Sequence, residues 1–183
     1  MKILAVEDDP LTQMVLDASL RQLGHEVTMV ADGAEAWERL RRGGAERVVV
    51  SDWLMPGLNG LELCGRLRAA GLDRLNVSVD SLNDTTAGKL NGLGFSVARV
   101  LRGIDAAAAL GFPIKINCVI QRGVNDHELP ELCEYFRARG HAVRFIEFMD
   151  VGNTNHWAVE RVVPAKEIVA RIAEKWPLEP VGP

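Results

Sequence analysis

The sequence predicts an α/β protein in which six β–α units form an open parallel sheet with helices on both faces. Short apolar runs alternate along the chain with longer segments in which apolar residues recur at helical spacing. Several of the helical segments end at glycine, as helices commonly do. No linker rich in proline, glycine or serine separates the units, so residues 1–183 are predicted to form a single domain.

Each predicted strand is followed by a predicted helix. The strands are nearly all apolar, which is expected where both faces of a parallel sheet are covered, and Pro164 suits the first turn of the last helix. The predicted strands are residues 2–7, 26–31, 47–52, 74–82, 114–120 and 142–149, and the predicted helices are residues 11–24, 33–44, 60–71, 96–111, 127–140 and 164–176.

Composition narrows the classes of function. The net charge of -4 argues against nucleic acid as a partner, because phosphate backbones attract basic surfaces. The opening "MKILAVEDDP" leads into a strand, and neither a signal peptide nor a membrane span is predicted. Cys64, Cys118 and Cys133 are too widely spaced for a zinc site or an iron–sulfur cluster, and their odd number argues against a disulfide framework. A reduced, cytoplasmic protein is therefore predicted.

Three acidic residues follow predicted strands. Glu7 and Asp8 end the first strand and Asp52 ends the third. Because the carboxyl ends of parallel strands meet at one edge of a sheet, these carboxylates are predicted to form a magnesium site. A carboxylate beside such an ion can also accept a phosphoryl group. The alternative is that the acids serve solubility alone, and Asp9 is predicted to cap the following helix.

Three motifs stand out in residues 1 to about 70, namely "ILAVEDDP", "VVVSDWLMPGLNG" and "ADGAEAW". With these motifs, this part of the chain resembles the receiver domain of two-component response regulators. The resemblance implies a flavodoxin-like fold and a histidine kinase as partner if this part is functional. It also implies Asp52 as phosphoacceptor, Glu7 and Asp8 as magnesium-binding acids, and a metal contact from the main-chain carbonyl of Leu54.

This part of the chain departs from the receiver pattern in several places. Receivers carry a lysine followed by proline after their fifth strand, and no Lys-Pro pair occurs here. Asn59 stands where the family usually has aspartate, and Ser81 matches the switch hydroxyl by position only. Without the lysine, phosphoryl charge is less well stabilised.

A second set of motifs lies in residues 67–183: "LRAAGLDRLNVSVDSL", "VLRGIDAA", "IKINCVIQRGVND", "RFIEFMDVGNTNHW" and "VVPAKEI". With these motifs, this part of the chain is similar to the radical-SAM GTP cyclase of molybdenum-cofactor biosynthesis. The resemblance implies units four to six of a partial TIM barrel, with SAM contacts at Ser78 and Met149 and GTP contacts at Lys115 and Arg144.

The residues themselves leave alternatives open at this second site. Lys115 suits phosphate but equally suits a surface salt bridge, and Met149 equally suits a core position. Further polar groups of the same cleft are Asn117, Glu147, Asn153 and Asn155. The family's Cys-x-x-x-Cys-x-x-Cys and Gly-Gly-Glu-Pro motifs are missing from this sequence. We therefore expect no iron–sulfur cluster, little SAM binding and no enzyme activity.

The chain is interpreted as a chimera with a crossover in or near residues 60–71. Segment 1–70 derives from a receiver and segment 71–183 from a radical-SAM barrel. The simplest arrangement that joins the strands of both segments is one open, doubly wound, flavodoxin-like sheet of order 2-1-3-4-5-6. The alternative is a curved partial barrel of order 1-2-3-4-5-6. An exposed sheet edge could support a homodimer.

The predicted function is an engineered scaffold without physiological activity. It keeps an acidic pocket that binds magnesium and weakly accepts phosphoryl at Asp52. One alternative is a phosphorelay signalling module, and another is residual SAM or GTP binding without radical catalysis.

Overall fold

The computed structural model describes residues 1–52, 60–91, 96–149 and 158–181. Within these ranges the chain forms six strands and seven α-helices, and every strand pairing is parallel. The predicted α/β class is confirmed. Contacts divide the chain into two compact units. Unit 1 comprises Met1–Asp73 and Ala109–Gly111, and unit 2 comprises Arg74–Ala108 and Phe112–Pro183. The single domain stays a prediction.

Unit 1 contains a three-stranded parallel sheet of order β2-β1-β3. The central strand is buried on both faces, because Ile3, Leu4, Ala5 and Val6 are all at most 4% exposed. Leu63 on a neighbouring helix belongs to the same core. The elements are β1 (Lys2–Val6), α1 (Pro10–Gln22), β2 (Glu26–Val30), α2 (Gly33–Arg41), β3 (Val48–Ser51) and α3 (Gly60–Ala69).

Unit 2 contains a second parallel sheet, of order β4-β5-β6. Leu129, Leu132 and Phe136 of one helix are fully buried and form much of its core. The elements are β4 (Leu75–Ser78), α4 (Asp84–Asn91), α5 (Val97–Ala109), β5 (Ile114–Ile120), α6 (Leu129–Arg137), β6 (Ala142–Glu147) and α7 (Ala165–Ala173).

The central strand β5 is buried on one face only. Ile114, Ile116, Cys118 and Ile120 are at most 6% exposed, whereas the residues between them are partly exposed. The neighbouring strands continue this alternation, so one face of the sheet is polar and accessible. We call it the open face, defined by Asn76, Ser78, Lys115, Asn117 and Arg144.

The predicted strand order holds within each unit. Unit 1 has the order 2-1-3 and unit 2 the order 4-5-6, but the strands form two three-stranded sheets rather than one sheet of six. The alternative order 1-2-3 is excluded in unit 1, because β1 lies between β2 and β3. Neither sheet closes into a barrel among the described residues.

One helix was not predicted. The stretch after β4 forms α4, whose N-terminus is capped by Asn83. The Asn83 Oδ1 accepts hydrogen bonds from the backbone N–H groups of Thr85 at 2.9 Å and Thr86 at 3.2 Å. The capping sequence Asn-Asp-Thr-Thr therefore indicates the start of this helix, whereas the short apolar pattern that follows it does not.

Within the described ranges, none of the helices is both long and apolar enough to cross a bilayer. The cytoplasmic location and the homodimer through a sheet edge stay predictions.

Candidate functional site

The three predicted acids come together at the carboxyl edge of the unit 1 sheet. One carboxylate oxygen from each of Glu7, Asp8 and Asp52 lies within 4.8 Å of the other two. The backbone fixes this arrangement at both strand ends. The Glu7 N–H donates to the Val30 carbonyl at 3.1 Å, and the Asp52 N–H donates to the Val6 carbonyl at 3.0 Å. We call this group the acidic edge.

The Asp9 side chain caps α1, as predicted, and the Asp9 backbone N–H donates to Glu7 Oε1 of the acidic edge at 3.1 Å. Its Oδ1 accepts hydrogen bonds from the Thr12 backbone N–H at 2.8 Å and from the Thr12 hydroxyl at 2.9 Å. These hydrogen bonds lower the pKa of Asp9 below its ordinary value. The other three acids supply the oxygen ligands that magnesium prefers. Leu54, predicted as a fourth ligand, and Asn59 lie outside the described residues.

Ser81, compared with the switch hydroxyl, is used inside unit 2. It is 1% exposed and donates to Glu128 Oε2 at 2.6 Å. It also accepts the Asn83 backbone N–H at 2.9 Å. Its hydroxyl thus serves a buried hydrogen-bond network.

The strand register brings three of the four predicted nucleotide contacts onto the open face. Ser78, Asn117 and Arg144 are paired across β4, β5 and β6 and form one row. Lys115 lies two residues before Asn117, so both side chains project from the same face of β5. Asn76 is paired with Lys115 in that second row.

The two cations of the open face have no anionic partner among the described residues. Lys115 and Arg144 take part in none of the salt bridges that the structure forms there, so the alternative of a salt-bridged surface lysine finds no support. Two uncompensated cations on neighbouring strands create a positive potential that suits phosphate.

Asn117 completes the row with an unusual feature. Its side-chain Oδ1 is buried and has no hydrogen-bond partner among the described residues. Sequence reasoning placed Asn117 in the cleft but gave no sign of this unpartnered acceptor, which depends on what surrounds β5.

The remaining residues that were predicted to line the cleft lie in different environments. Met149 follows β6 and is 59% exposed, so the alternative core position is wrong. Glu147 pairs in register with the buried Ile120 and accepts the Ala165 backbone N–H at 2.6 Å, so it supports α7 rather than the open face. Asn153 and Asn155 lie outside the described residues.

A buried amide fixes the carboxyl ends of β4 and β5, and sequence reasoning missed it. Asn125, within the motif "RGVND", is 0% exposed. Its Nδ2 donates to the carbonyls of Asp80 at 2.7 Å and Val119 at 2.8 Å, and its Oδ1 accepts the Gln121 N–H at 2.8 Å. Burial raises the pKa of Asp80, whose Oδ1 accepts the Val119 N–H at 2.8 Å and is thereby partly stabilised as the anion.

The three cysteines are free thiols, with Cys64 and Cys118 buried and Cys133 partly buried. Burial raises the pKa of the Cys64, Cys118 and Cys133 thiols, whereas metal ligation needs thiolates. Cys64 belongs to unit 1 and the other two to unit 2.

Comparison with known proteins identifies the class. The sequence profile of the Radical SAM superfamily matches residues 17–136, more than half of the chain. The chain therefore belongs to the Radical SAM superfamily.

Within that superfamily, the chain is similar to GTP 3',8-cyclases. The relative from Acidothermus cellulolyticus is 52% identical over 118 residues, which cover 64% of this chain and 33% of the relative. The relative from Synechococcus is 48% identical over 128 residues, covering 63% of this chain and 37% of the relative. The chain thus spans about a third of the length of these curated relatives.

Solved structures of receiver domains are also similar to this chain. The Francisella response regulator 1452 receiver domain is 26% identical, with a TM-score of 0.39 over 59% of this chain and 97% of the other. A Pseudomonas putida receiver protein is 18% identical, with a TM-score of 0.45 over 73% and 95%. The predicted similarity to a radical-SAM GTP cyclase is confirmed by the superfamily match and by the GTP 3',8-cyclase relatives.

The similarity to known families contradicts two predictions, one on enzyme activity and one on cofactors. The chain was expected to be no enzyme and to use neither a cluster nor SAM, but its superfamily and its GTP 3',8-cyclase relatives are radical SAM enzymes that imply both cofactors. Those expectations rested on motifs missing from this sequence, and the matched residues cover only 33% of the Acidothermus relative. Nothing in the described residues or the relatives indicates engineering or loss of activity.

Proposed function

We propose that unit 2 binds SAM and GTP on its open face as part of a radical SAM protein of the GTP-cyclase type. The observation that carries the proposal is the pair of cations, Lys115 and Arg144, with no anionic partner among the described residues. The relatives' name supplies the ligand class, and the strand register places the polar row on the same face as both cations.

Each predicted contact has a chemical role in this proposal. Lys115 binds the triphosphate as a point charge, and the planar Arg144 guanidinium offers two parallel N–H donors to phosphate oxygens. Ser78 donates its hydroxyl to SAM, and Met149 provides apolar contact beyond the end of β6. When bound, SAM supplies radical chemistry, and these residues bind and orient the ligands.

Calorimetric titration with GTP at low ionic strength tests the proposal. We expect Lys115→Met and Arg144→Met each to weaken binding about tenfold, because a hydrogen bond to a charged group contributes about 1.5 kcal/mol. Lys166→Met on α7 is the matched control and should bind like the original chain. Equal affinity in all four proteins, or no saturable binding by any of them, would contradict the proposal.

A second function is proposed for the acidic edge, namely magnesium binding with phosphoryl acceptance at Asp52. The convergence of three carboxylates within 4.8 Å favours it. An Asp52 oxygen would attack phosphorus, forming an acyl phosphate while the donor's phosphorus–oxygen bond breaks and its leaving group departs. Magnesium held by Glu7 and Asp8 would offset the charge on the phosphoryl oxygens.

Amide spectra recorded with magnesium, and then with beryllofluoride, test this second function. We expect magnesium to shift the amides of residues 7, 8 and 52, and beryllofluoride to shift them further in a magnesium-dependent way. Asp52→Asn should abolish the beryllofluoride response, while Asp9→Asn at the helix cap should keep it. A folded sample in which the amides of the acidic edge do not shift on adding magnesium or beryllofluoride would contradict the proposal.

A further inference from the structure

The outer face of α1 is apolar and exposed. Leu11, Met14 and Val15 are 69%, 67% and 60% exposed, and Ala18 is exposed as well. These residues recur at the spacing i, i+3, i+4 and i+7, so their side chains form one stripe along the helix. We call these four residues the α1 stripe.

The opposite side of α1 is also apolar. Leu16 and Leu20 lie on that side by the same periodicity and are partly buried, and α1 packs against β2. The outer face of a surface helix normally carries charged or polar residues. A helix with apolar residues on both sides is expected to be covered on both, so the α1 stripe indicates a binding surface.

The charges of α1 lie at its two ends. Asp8 and Asp9 precede the helix, whereas Arg21 lies in its last turn. Asp17 is the only other charged residue in Pro10–Gln22, a range that the structure describes throughout, and it pairs with Arg21 at 2.8 Å. An antiparallel copy of α1 would bring the acidic end of each helix beside the basic end of the other and oppose the two helix dipoles favourably.

The α1 stripe is also complementary to itself in size. In an antiparallel pair of α1 helices with a two-fold axis between Met14 and Val15, these two residues face each other across the pair. Leu11 then faces Ala18 of the second copy at both ends, so a large side chain meets a small one. A two-fold dimer uses the same surface on both copies, and the stripe meets this requirement.

We propose that the α1 stripe binds the α1 stripe of a second copy of this chain and forms an antiparallel helix pair. A stable interface buries roughly 800 Å² per partner, and the face of one short helix supplies less. The dimer is therefore weak, with a dissociation constant in the micromolar range. It depends neither on nucleotide binding by unit 2 nor on pairing at a sheet edge.

Sedimentation equilibrium of the full chain, from low micromolar to submillimolar concentration, tests this proposal. We expect the average mass to rise from that of a monomer towards that of a dimer. Met14→Lys should raise the dissociation constant about tenfold or more, because each dimer would bury two charges without partners. Val169→Lys on α7, at an apolar position that is 53% exposed, is the matched control and should dimerise like the original chain.

Ala18→Leu tests the antiparallel register. This variant makes the stripe more apolar, so it would strengthen a non-specific association. In the antiparallel pair the larger side chain collides with Leu11 of the second copy, so the dissociation constant should rise about fivefold or more. A mixture of Met14→Lys and Val15→Glu chains should dimerise more tightly than either variant alone, because the two introduced charges face each other.

The substituted positions are all exposed, so each variant should keep the urea midpoint of the original chain. A loss of dimer then reports on the interface rather than on folding. An original chain that stays monomeric at submillimolar concentration, or a dimer that Met14→Lys does not weaken, would overturn the proposal. Stronger association of Ala18→Leu would overturn it as well, because the antiparallel pair has no room for the larger side chain.

Discussion

The two sheets of the molecule offer ligands different surfaces. In unit 1, four successive residues of β1 are buried, so both faces are closed and the polar groups gather beyond the strand ends. In unit 2, β5 alternates between buried and partly exposed residues, so the polar groups lie along one face. A sheet whose central strand is apolar throughout can therefore bind ligands only at the ends of its strands. A sheet whose central strand alternates between buried and exposed residues can also bind ligands on its exposed face.

The largest predicted effect tests this contrast between the two central strands. Ile116→Ala should lower the free energy of unfolding by about 2–5 kcal/mol, because it opens a cavity in a fully buried site. Its neighbour Lys115→Ala should change it by less than about 0.5 kcal/mol. In β1, by contrast, Ile3→Ala and Leu4→Ala should both be costly. Urea unfolding measures all four, and equal costs for Ile116 and Lys115 would break the comparison.

The next effect concerns the amide that joins the ends of β4 and β5. Asn125→Ala removes three hydrogen bonds and leaves buried backbone groups without partners. We expect a loss of about 3 kcal/mol in the free energy of unfolding. The exposed Asn76→Ala serves as control in the same urea experiment. If Asn125→Ala lowered the free energy of unfolding by less than Asn76→Ala does, water would have taken over the hydrogen bonds of the Asn125 amide, and the prediction would be wrong.

The smallest effect is a pH dependence in unit 2. Glu167 on α7 accepts hydrogen bonds from Arg122 at 2.6 Å and from Arg171, and these lower its pKa to about 2 from an ordinary 4.5. A carboxyl with a lowered folded-state pKa contributes stability above its unfolded pKa. That stability is lost as the pH falls through the folded value.

Glu167→Gln should therefore reduce the loss of stability on acidification from pH 5 to pH 2. The three side chains are about a third exposed, so solvent screens the pair and the effect should be modest. Urea midpoints measured across this window, with Glu174→Gln as control, provide the check. Parallel pH profiles for the original chain and Glu167→Gln would count against the ion pair.

Periodicity was enough to predict most of the fold. Apolar runs located all six strands, and the order 2-1-3 followed from the receiver motifs because a flavodoxin-like unit reverses after its first strand. The helix α4 was missed because eight residues show too little periodicity to stand out. Pairing between distant strands is not encoded in local pattern, so the separation into two sheets could not be predicted.

The sites were predictable to the degree that they depend on strand position. Glu7 and Asp52 follow adjacent strands, so their convergence follows from topology. The unpartnered Oδ1 of Asn117 depends instead on every neighbouring side chain, which no local pattern contains. The cofactor prediction failed because it rested on missing motifs, whereas the matched residues cover only 33% of the Acidothermus relative.

The most direct test of the central claim maps GTP onto the amide spectrum of the full chain without added metal. The account predicts saturable shifts in the row of Ser78, Asn117 and Arg144, with no change at Glu7, Asp8 and Asp52. Shifts confined to the acidic edge, or no saturable shift in the open-face row, would contradict nucleotide binding by unit 2.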